Sequence, residues 1–202
     1  MNNARPDRAP SAPPVKRSFP PIADQQARAL VLGTLPGEES LRRGEYYAHP
    51  RNLFWPIVFA LFDAVPAPAY AEKLAFVAAH RIALWDVCET GERDASADSS
   101  IRRECPNPID RLLDTHPLIR AVAFNGTGAQ RLHDRHFARH PDLAYLALPS
   151  TSPAHARIGF AGKLARWAAL RELVCNTLEI CRSHDLQFPL LTQTHDFIRK
   201  RG

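Results

Sequence analysis

Four short apolar runs punctuate the chain: Ala29 to Gly33 (ALVLG), Ile82 to Val87 (IALWDV), Ala121 to Asn125 (AVAFN) and Ala144 to Leu148 (AYLAL). Each is too short for a core helix and is apolar at both odd and even positions, the pattern of a strand buried on both faces. Between the runs, apolar positions recur at helical spacing over Leu53 to Phe62, Tyr70 to Ala79, Ile109 to Leu113, Gly128 to Phe137 and Phe160 to about Cys181. Strands alternating with helices predict an α/β fold, a three-layer α/β/α sandwich with a central four-stranded parallel sheet. Sheets of this kind bind ligands at the carboxyl ends of their strands, beside the topological switch point, so the loops after the four runs are where chemistry is expected. No internal repeat is visible.

The 202 residues suffice for one domain of common size with tails and are too few for two catalytic domains. Apolar residues at 45% and charged residues at 23% argue against a disordered chain, and no stretch approaches the apolar length that spans a membrane. Six prolines among the first 21 residues predict a disordered, Pro-rich basic tail over 1–21, with ordered structure starting near Ala23. A folded domain over 22–182 and a C-terminal extension over 183–202 complete the expected organisation. The tail lacks the apolar run of a secretory signal and the four cysteines form no regular pairs, so a cytoplasmic protein with reduced thiols is expected. Of the net charge of +5, the two tails carry +4. Overall basicity is therefore a weak argument for a nucleic-acid partner, and local sites must carry one.

Four loops hold candidate chemistry. After the first run, Gly33-Thr34-Leu35-Pro36-Gly37 joins two glycines that admit close backbone approach to a proline that stiffens the turn, although a plain connector has the same composition. Neither the Lys nor the Ser/Thr of a phosphate-binding loop follows, which disfavours nucleotide triphosphate hydrolysis. Tyr46 to Trp55 (YYAHPRNLFW) gathers aromatic, imidazole and amide groups just ahead of a helix. An aromatic face there can stack a flat heterocycle, and Asn52 either caps the helix or orients a ligand or water; Phe54 and Trp55 belong to the core in both cases. The third run ends in Phe124-Asn125-Gly126, where a carboxamide either reads an edge presenting N–H beside C=O, as in hypoxanthine or uracil, or closes the strand-to-helix turn. The fourth leads into Ser150-Thr151-Ser152-Pro153-Ala154-His155-Ala156-Arg157. Its hydroxyls and N–H groups suit phosphate contacts, and a following residue can wedge into the space left by an extruded base; a simple Pro/Ser turn is the alternative. Asp86, ending the second run, is either an electrostatic residue near the site or a turn cap.

Other signals point nowhere specific. His133, His136 and His140 lie at helical spacings that serve a solvated helix face as well as a metal site, and Pro141 ends any helix there. Cys88, Cys105, Cys175 and Cys181 include no close CxxC pair, so no iron–sulfur cluster is expected, nor any other metal or cofactor. No GxSxG elbow accompanies Ser150, Ser152 and His155, which argues against a serine hydrolase.

The ordered set GTLPG, YYAHPRNLFW, FNG and LPSTSPAHAR, over about Ala29 to Arg171, resembles the uracil-DNA glycosylase superfamily and, within it, the hypoxanthine-DNA (deoxyinosine) glycosylase branch. The resemblance implies a monofunctional DNA glycosylase that hydrolyses the N-glycosidic bond of deaminated bases, hypoxanthine preferred, in base excision repair. Uracil is the alternative substrate, and a non-catalytic nucleic-acid-binding module the alternative class. The implied partner is DNA containing deaminated bases, and the implied working form a monomer. Asn52 falls on the amide taken as catalytic, Tyr47 on the aromatic that stacks the flipped base and Asn125 on the base-reading Asn, with Gly33, Thr34 and Leu35 as the accompanying base-contacting loop. Ser150, Thr151, Ser152, His155 and Arg157 fall on the DNA-binding loop, with His155 as the wedge. Leu35 stands where the mismatch-specific uracil and thymine members carry the water-positioning Asn of GxNPG, so that role passes to Asn52. An amide is too poor a base to deprotonate water, which implies a largely dissociative reaction.

Overall fold

The computed structural model describes residues 15–93 and 101–175. In chain order its elements are β1 (Val15–Arg17), β2 (Ala29–Gly33), α1 (Glu38–Arg43), α2 (Phe54–Leu61), α3 (Tyr70–Ala79), β3 (Ile82–Asp86), β4 (Cys88–Glu92), β5 (Arg102–Pro106), α4 (Ile109–Thr115), β6 (Ala121–Asn125), α5 (Thr127–His136), β7 (Ala144–Leu148) and α6 (Phe160–Cys175). The four apolar runs form one parallel sheet in the order β3-β2-β6-β7. The twofold alternation of side chains along each strand divides them between two cores. Ala29, Val31, Ile82, Leu84, Ala121 and Ala123 face α2, α3 and α6 on one side of the sheet. Leu30, Leu32, Ala83, Trp85, Val122 and Phe124 face α4 and α5 on the other. This is the expected three-layer α/β/α sandwich.

The chain passes from β2 to β3 on one side and later returns to β6 on the other, so the strand order reverses at β2. That reversal opens a crevice at the carboxyl ends of β2 and β6, where α/β sheets bind ligands.

Four features differ from expectation, the first being α1, a six-residue helix that follows the Gly33 to Gly37 turn and was not among the predicted helices. β7 is not a fully buried strand: it lies at one edge of the sheet with Ala144 and Ala147 exposed, whereas β3, at the other edge, is covered by Ile22, which bridges to Leu84, and is buried throughout. A second, antiparallel three-stranded sheet, ordered β1-β4-β5, was not expected from the pattern. Its strand β1 (Val15–Arg17) lies within the stretch assigned to the N-terminal tail, so the described structure already holds a strand ahead of the expected start near Ala23. Lys16 is buried there, Ile22 bridges to Leu84, and the Phe19 carbonyl accepts the Trp85 indole N–H at 3.0 Å. Residues 1–14, 94–100 and 176–202 lie outside the described residues, and with them the remainder of the N-terminal tail, the expected end of the last helix and the C-terminal extension.

Candidate active site

At the crevice, β2 ends in Gly33, its register partner on β3 is Asp86, and one step past the Leu32–Phe124 pair β6 ends in Asn125. Loops after these strands and after β7 enclose a cavity of about 130 Å³. Its lining draws on all four sequence motifs. Gly33, Thr34 and Leu35 come from the first, Tyr47 and Asn52 from the second, Asn125 from the third, and Ser150, Thr151 and Ser152 from the fourth. His155 and Arg157 lie outside the lining, on an exposed part of the same loop.

The segment ahead of α2 is held from several sides. The Tyr46 N–H donates to the Tyr70 hydroxyl at 2.9 Å, the Trp55 indole N–H donates to the Tyr46 carbonyl at 3.0 Å, and the Ala48 N–H donates to Ser40 Oγ at 3.2 Å. Between these anchors Tyr47 adopts a φ of 56°, which turns its ring onto Phe54, with centroids 3.8 Å apart and planes 19° from parallel. Asn52 is not the N-cap of α2, which is Leu53; from one residue earlier its Oδ1 accepts the Phe54 N–H at 3.0 Å and so satisfies the first N–H of the helix, while the same side chain borders the cavity. An amide oxygen has two lone pairs, so this bond leaves one of them, together with both Nδ2 hydrogens, for other contacts.

Asn125 is 8% exposed and is a clamp across two loops. Its Oδ1 accepts the Thr151 N–H at 2.8 Å and its Nδ2 donates to Thr151 Oγ1 at 2.9 Å. Thr151 in turn offers its carbonyl to the Leu53 N–H at 3.0 Å, tying the fourth motif to the second. Gly126, at φ +101°, lets the chain turn from β6 into α5 against Ser150, whose Cβ would lie 2.8 Å from any methyl added there. Leu35 borders the cavity, but its side chain belongs to the core cluster, so its backbone is the part suited to a polar contact.

Two further buried charged residues line the cavity: Asp86, which the sequence offered either as an electrostatic residue near the site or as a turn cap, and Arg93, which it did not single out. Asp86 is 4% exposed, and a methyl added at Gly33 would lie 2.4 Å from its Oδ1 and 3.4 Å from the Tyr47 hydroxyl. Its carboxylate therefore fills the space that Gly33 leaves over the end of β2. Arg93, buried just after β4, donates to the Pro36 carbonyl and braces the Gly33 to Gly37 turn. It sits in no motif and no periodic run, so nothing in the sequence singled it out.

Burial, with the nearby Asp86 carboxylate, pushes the Tyr46 phenol far above its ordinary pKa and keeps it neutral. At the mouth, Glu39 is held at about 2 by hydrogen bonds from Arg42 and Arg43, and Glu38 lies 3.4 Å from Lys16 Nζ. Both carboxylates are matched by cations, which limits their repulsion of a polyanion. The three helical histidines diverge: His133 is buried against Phe124, Phe137 and Tyr145, His136 lies by Glu104, and His140 by Asp110.

Comparison with known proteins gives a consistent picture. A family model described as Uracil DNA glycosylase superfamily matches residues 20–173. A Methanosarcina acetivorans protein named Hypoxanthine DNA glycosylase is 35% identical over 157 residues, covering 77% of this chain and 98% of its own. A Methanosarcina barkeri protein of the same name is 36% identical over 112 residues, covering 55% of this chain and 71% of its own. A solution NMR structure from Methanosarcina acetivorans, named for uracil DNA glycosylase, superposes with a TM-score of 0.67 at 33% identity, over 79% of this chain and 98% of that one.

Proposed function

The chain belongs to the uracil DNA glycosylase superfamily, and on that premise we propose that it is a hypoxanthine DNA glycosylase, an enzyme that hydrolyses the N-glycosidic bond of deoxyinosine in DNA and leaves an abasic site. The observation that carries this reading is the 35% identity, over nearly the whole of the relative, to a protein named for that activity. The convergence of the four motifs on one cavity supports it.

The glycosidic bond is inaccessible inside a duplex, so the target nucleotide must swing out of the stack, at a cost of a few kcal/mol that is smallest at a damaged or mispaired base. In our reading Tyr47 takes the extruded base on the ring face turned away from Phe54, and Asn125 contacts it with the Nδ2 hydrogen that Thr151 does not use. Backbone N–H groups of the Gly33, Thr34 and Leu35 turn meet the charge that gathers on the departing base, as preorganised dipoles do in other enzymes. Asn52 holds water with its second lone pair beneath the anomeric carbon. Because the amide cannot take a proton at the start, the bond to the base stretches first and water is captured late. Ser150 and Ser152 contact phosphate, His155 fills the vacated space in the stack, and Arg157 pairs with the backbone. Thr151, expected from the sequence to bind DNA, is fully buried with its N–H, Oγ1 and carbonyl held by Asn125 and Leu53 and fixes the loop instead. The exposure of His155 and Arg157 suits contacts made outside the cavity.

We further propose that the working unit is a cytoplasmic monomer, its activity contained in residues 22–182 together with the β1 segment packed on them. Among the described residues no helix is long and apolar enough to cross a membrane.

The test is base release from oligonucleotides containing deoxyinosine, deoxyuridine or deoxyxanthosine. Fastest release is expected from deoxyinosine. Strong uracil release with inert deoxyinosine would move the assignment to uracil, and release of no base would leave a binding module.

A further inference from the structure

The reading above leaves one buried charged group in the cavity without a task. Asp86, Gly33 and Asn125 end three adjacent strands at one level, so their side-chain directions fall on the same face of the sheet. The outer two are about two strand spacings apart, roughly 10 Å between Cα atoms, and the central one has no side chain. The Asp86 carboxylate leans into that gap, with Oδ1 2.4 Å from where a Gly33 Cβ would lie. Asn125, facing it across the gap, has one carbonyl lone pair and one Nδ2 hydrogen committed to Thr151, which leaves an N–H as its available donor. The cavity thus sets a carboxylate acceptor opposite an amide donor, with Tyr47 beside the acceptor.

From this juxtaposition we infer that Asp86 determines base specificity, accepting the N1–H of hypoxanthine while the remaining Asn125 N–H donates to O6. The inference rests on the hypoxanthine reading and deepens it. Deamination of adenine converts N1 from an acceptor to a donor and replaces the C6 amino group with a carbonyl. Hypoxanthine then presents a donor beside an acceptor, matched to Asp86 and Asn125. Adenine presents the reverse: its N1 lone pair faces the carboxylate and its amino group faces the amide hydrogen. A wrong base accordingly leaves buried polar groups unpaired, the arrangement that gives sites their sharpest discrimination. Gly33 is part of the device, because a side chain there would displace the carboxylate.

The experiment is a cycle between one residue and one atom of the substrate, read by single-turnover base release. Wild-type protein and Asp86→Ala, which deletes the acceptor where an Asn would keep an amide oxygen, are each assayed on deoxyinosine and on its 1-deaza analogue, in which C–H replaces N1–H. Each change alone is expected to slow release about tenfold or more, and the two together little further, because they remove the same hydrogen bond. Losses that multiply assign Asp86 a structural or general electrostatic role and overturn the inference, as does release within twofold of wild type for either single change. If Asp86→Ala does not fold, the analogue decides with wild-type protein, where undiminished release overturns the inference. Wild-type protein inert on deoxyinosine itself removes the functional reading and this inference with it, whereas activity there with multiplying losses removes the inference alone.

Discussion

Asn52 works in two directions at once, and the two effects can be separated. Replacing it with Ala removes the acceptor of the Phe54 N–H, a hydrogen bond worth about 1 kcal/mol, and, in our reading, the group that holds water. Asn52→Ala is expected to lower base release by at least 100-fold, with DNA binding retained, and to lower the melting temperature by a few degrees. Asn52→Asp keeps the accepting oxygen and should recover the melting temperature. Calorimetry beside a cleavage assay checks both outcomes. Tyr47→Ala is expected to weaken capture of the extruded base, since stacking is worth about 1 to 3 kcal/mol per base. Saturation kinetics should place most of that loss in apparent affinity, and an unchanged rate at low enzyme concentration would show that the ring serves only Phe54. At this scale the sequence marked Tyr47 and Asn52 because aromatic, imidazole and amide groups crowd just ahead of a helix, and Asn125 because it ends a strand at the carboxyl edge of the sheet. Arg93 went unmarked because a single Arg bonded to a distant carbonyl leaves no local pattern.

At the scale of elements, the site depends on how Asn125 joins two loops. Asn125→Ala leaves the Thr151 N–H, in a residue with 0% exposure, without its acceptor, at a cost of about 1 to 3 kcal/mol. A stability loss in denaturant titrations is therefore expected alongside lost activity, whereas Asn125→Asp, which keeps the acceptor for the Thr151 N–H, should lose less stability. The elements themselves were unequally legible. β2, β3 and β6 are buried along their whole length, so their sequences are nearly pure apolar runs. β4 (CETGE) and β5 (RRECP) pair antiparallel with one face toward solvent and a shifting register, which leaves no clean alternation to read. α1 spans only six residues, too few for a periodic stripe, although Glu38 and Glu39 in its first turn, Arg42 and Arg43 in its last and Gly44 beyond it are the marks of a short capped helix.

The whole molecule carries a pH dependence that its histidines set. Burial lowers the pKa of His133 below 6.5, against the opposing pull of Asp134, and burial lowers that of His80 beside Phe62 and Phe76. The unfolded chain protonates these rings near pH 6.5 and the folded chain resists, so their stability contribution is complete above that pH and is lost as pH falls through the folded values. The melting temperature is expected to decline between pH 7 and about 5.5, where unperturbed carboxylates are still ionised. His133→Phe, set among three other rings, should make the decline shallower in a melting series across those pH values.

Hydrophobic period and loop chemistry determined the layered α/β architecture, the four strands of the main sheet and the loops from which the site is built, because each is written in neighbouring residues. Tertiary structure alone decided strand order, the edge position of β7, the packing of β1 on β4 and the meeting of Asp86, Gly33 and Asn125 at one level. Those are relations between segments dozens of residues apart, set by which apolar faces can be buried together. No local pattern records them: the sequence leaves Asp86 as either an electrostatic residue or a turn cap, and only Gly33, 53 positions earlier, supplies the space its carboxylate fills.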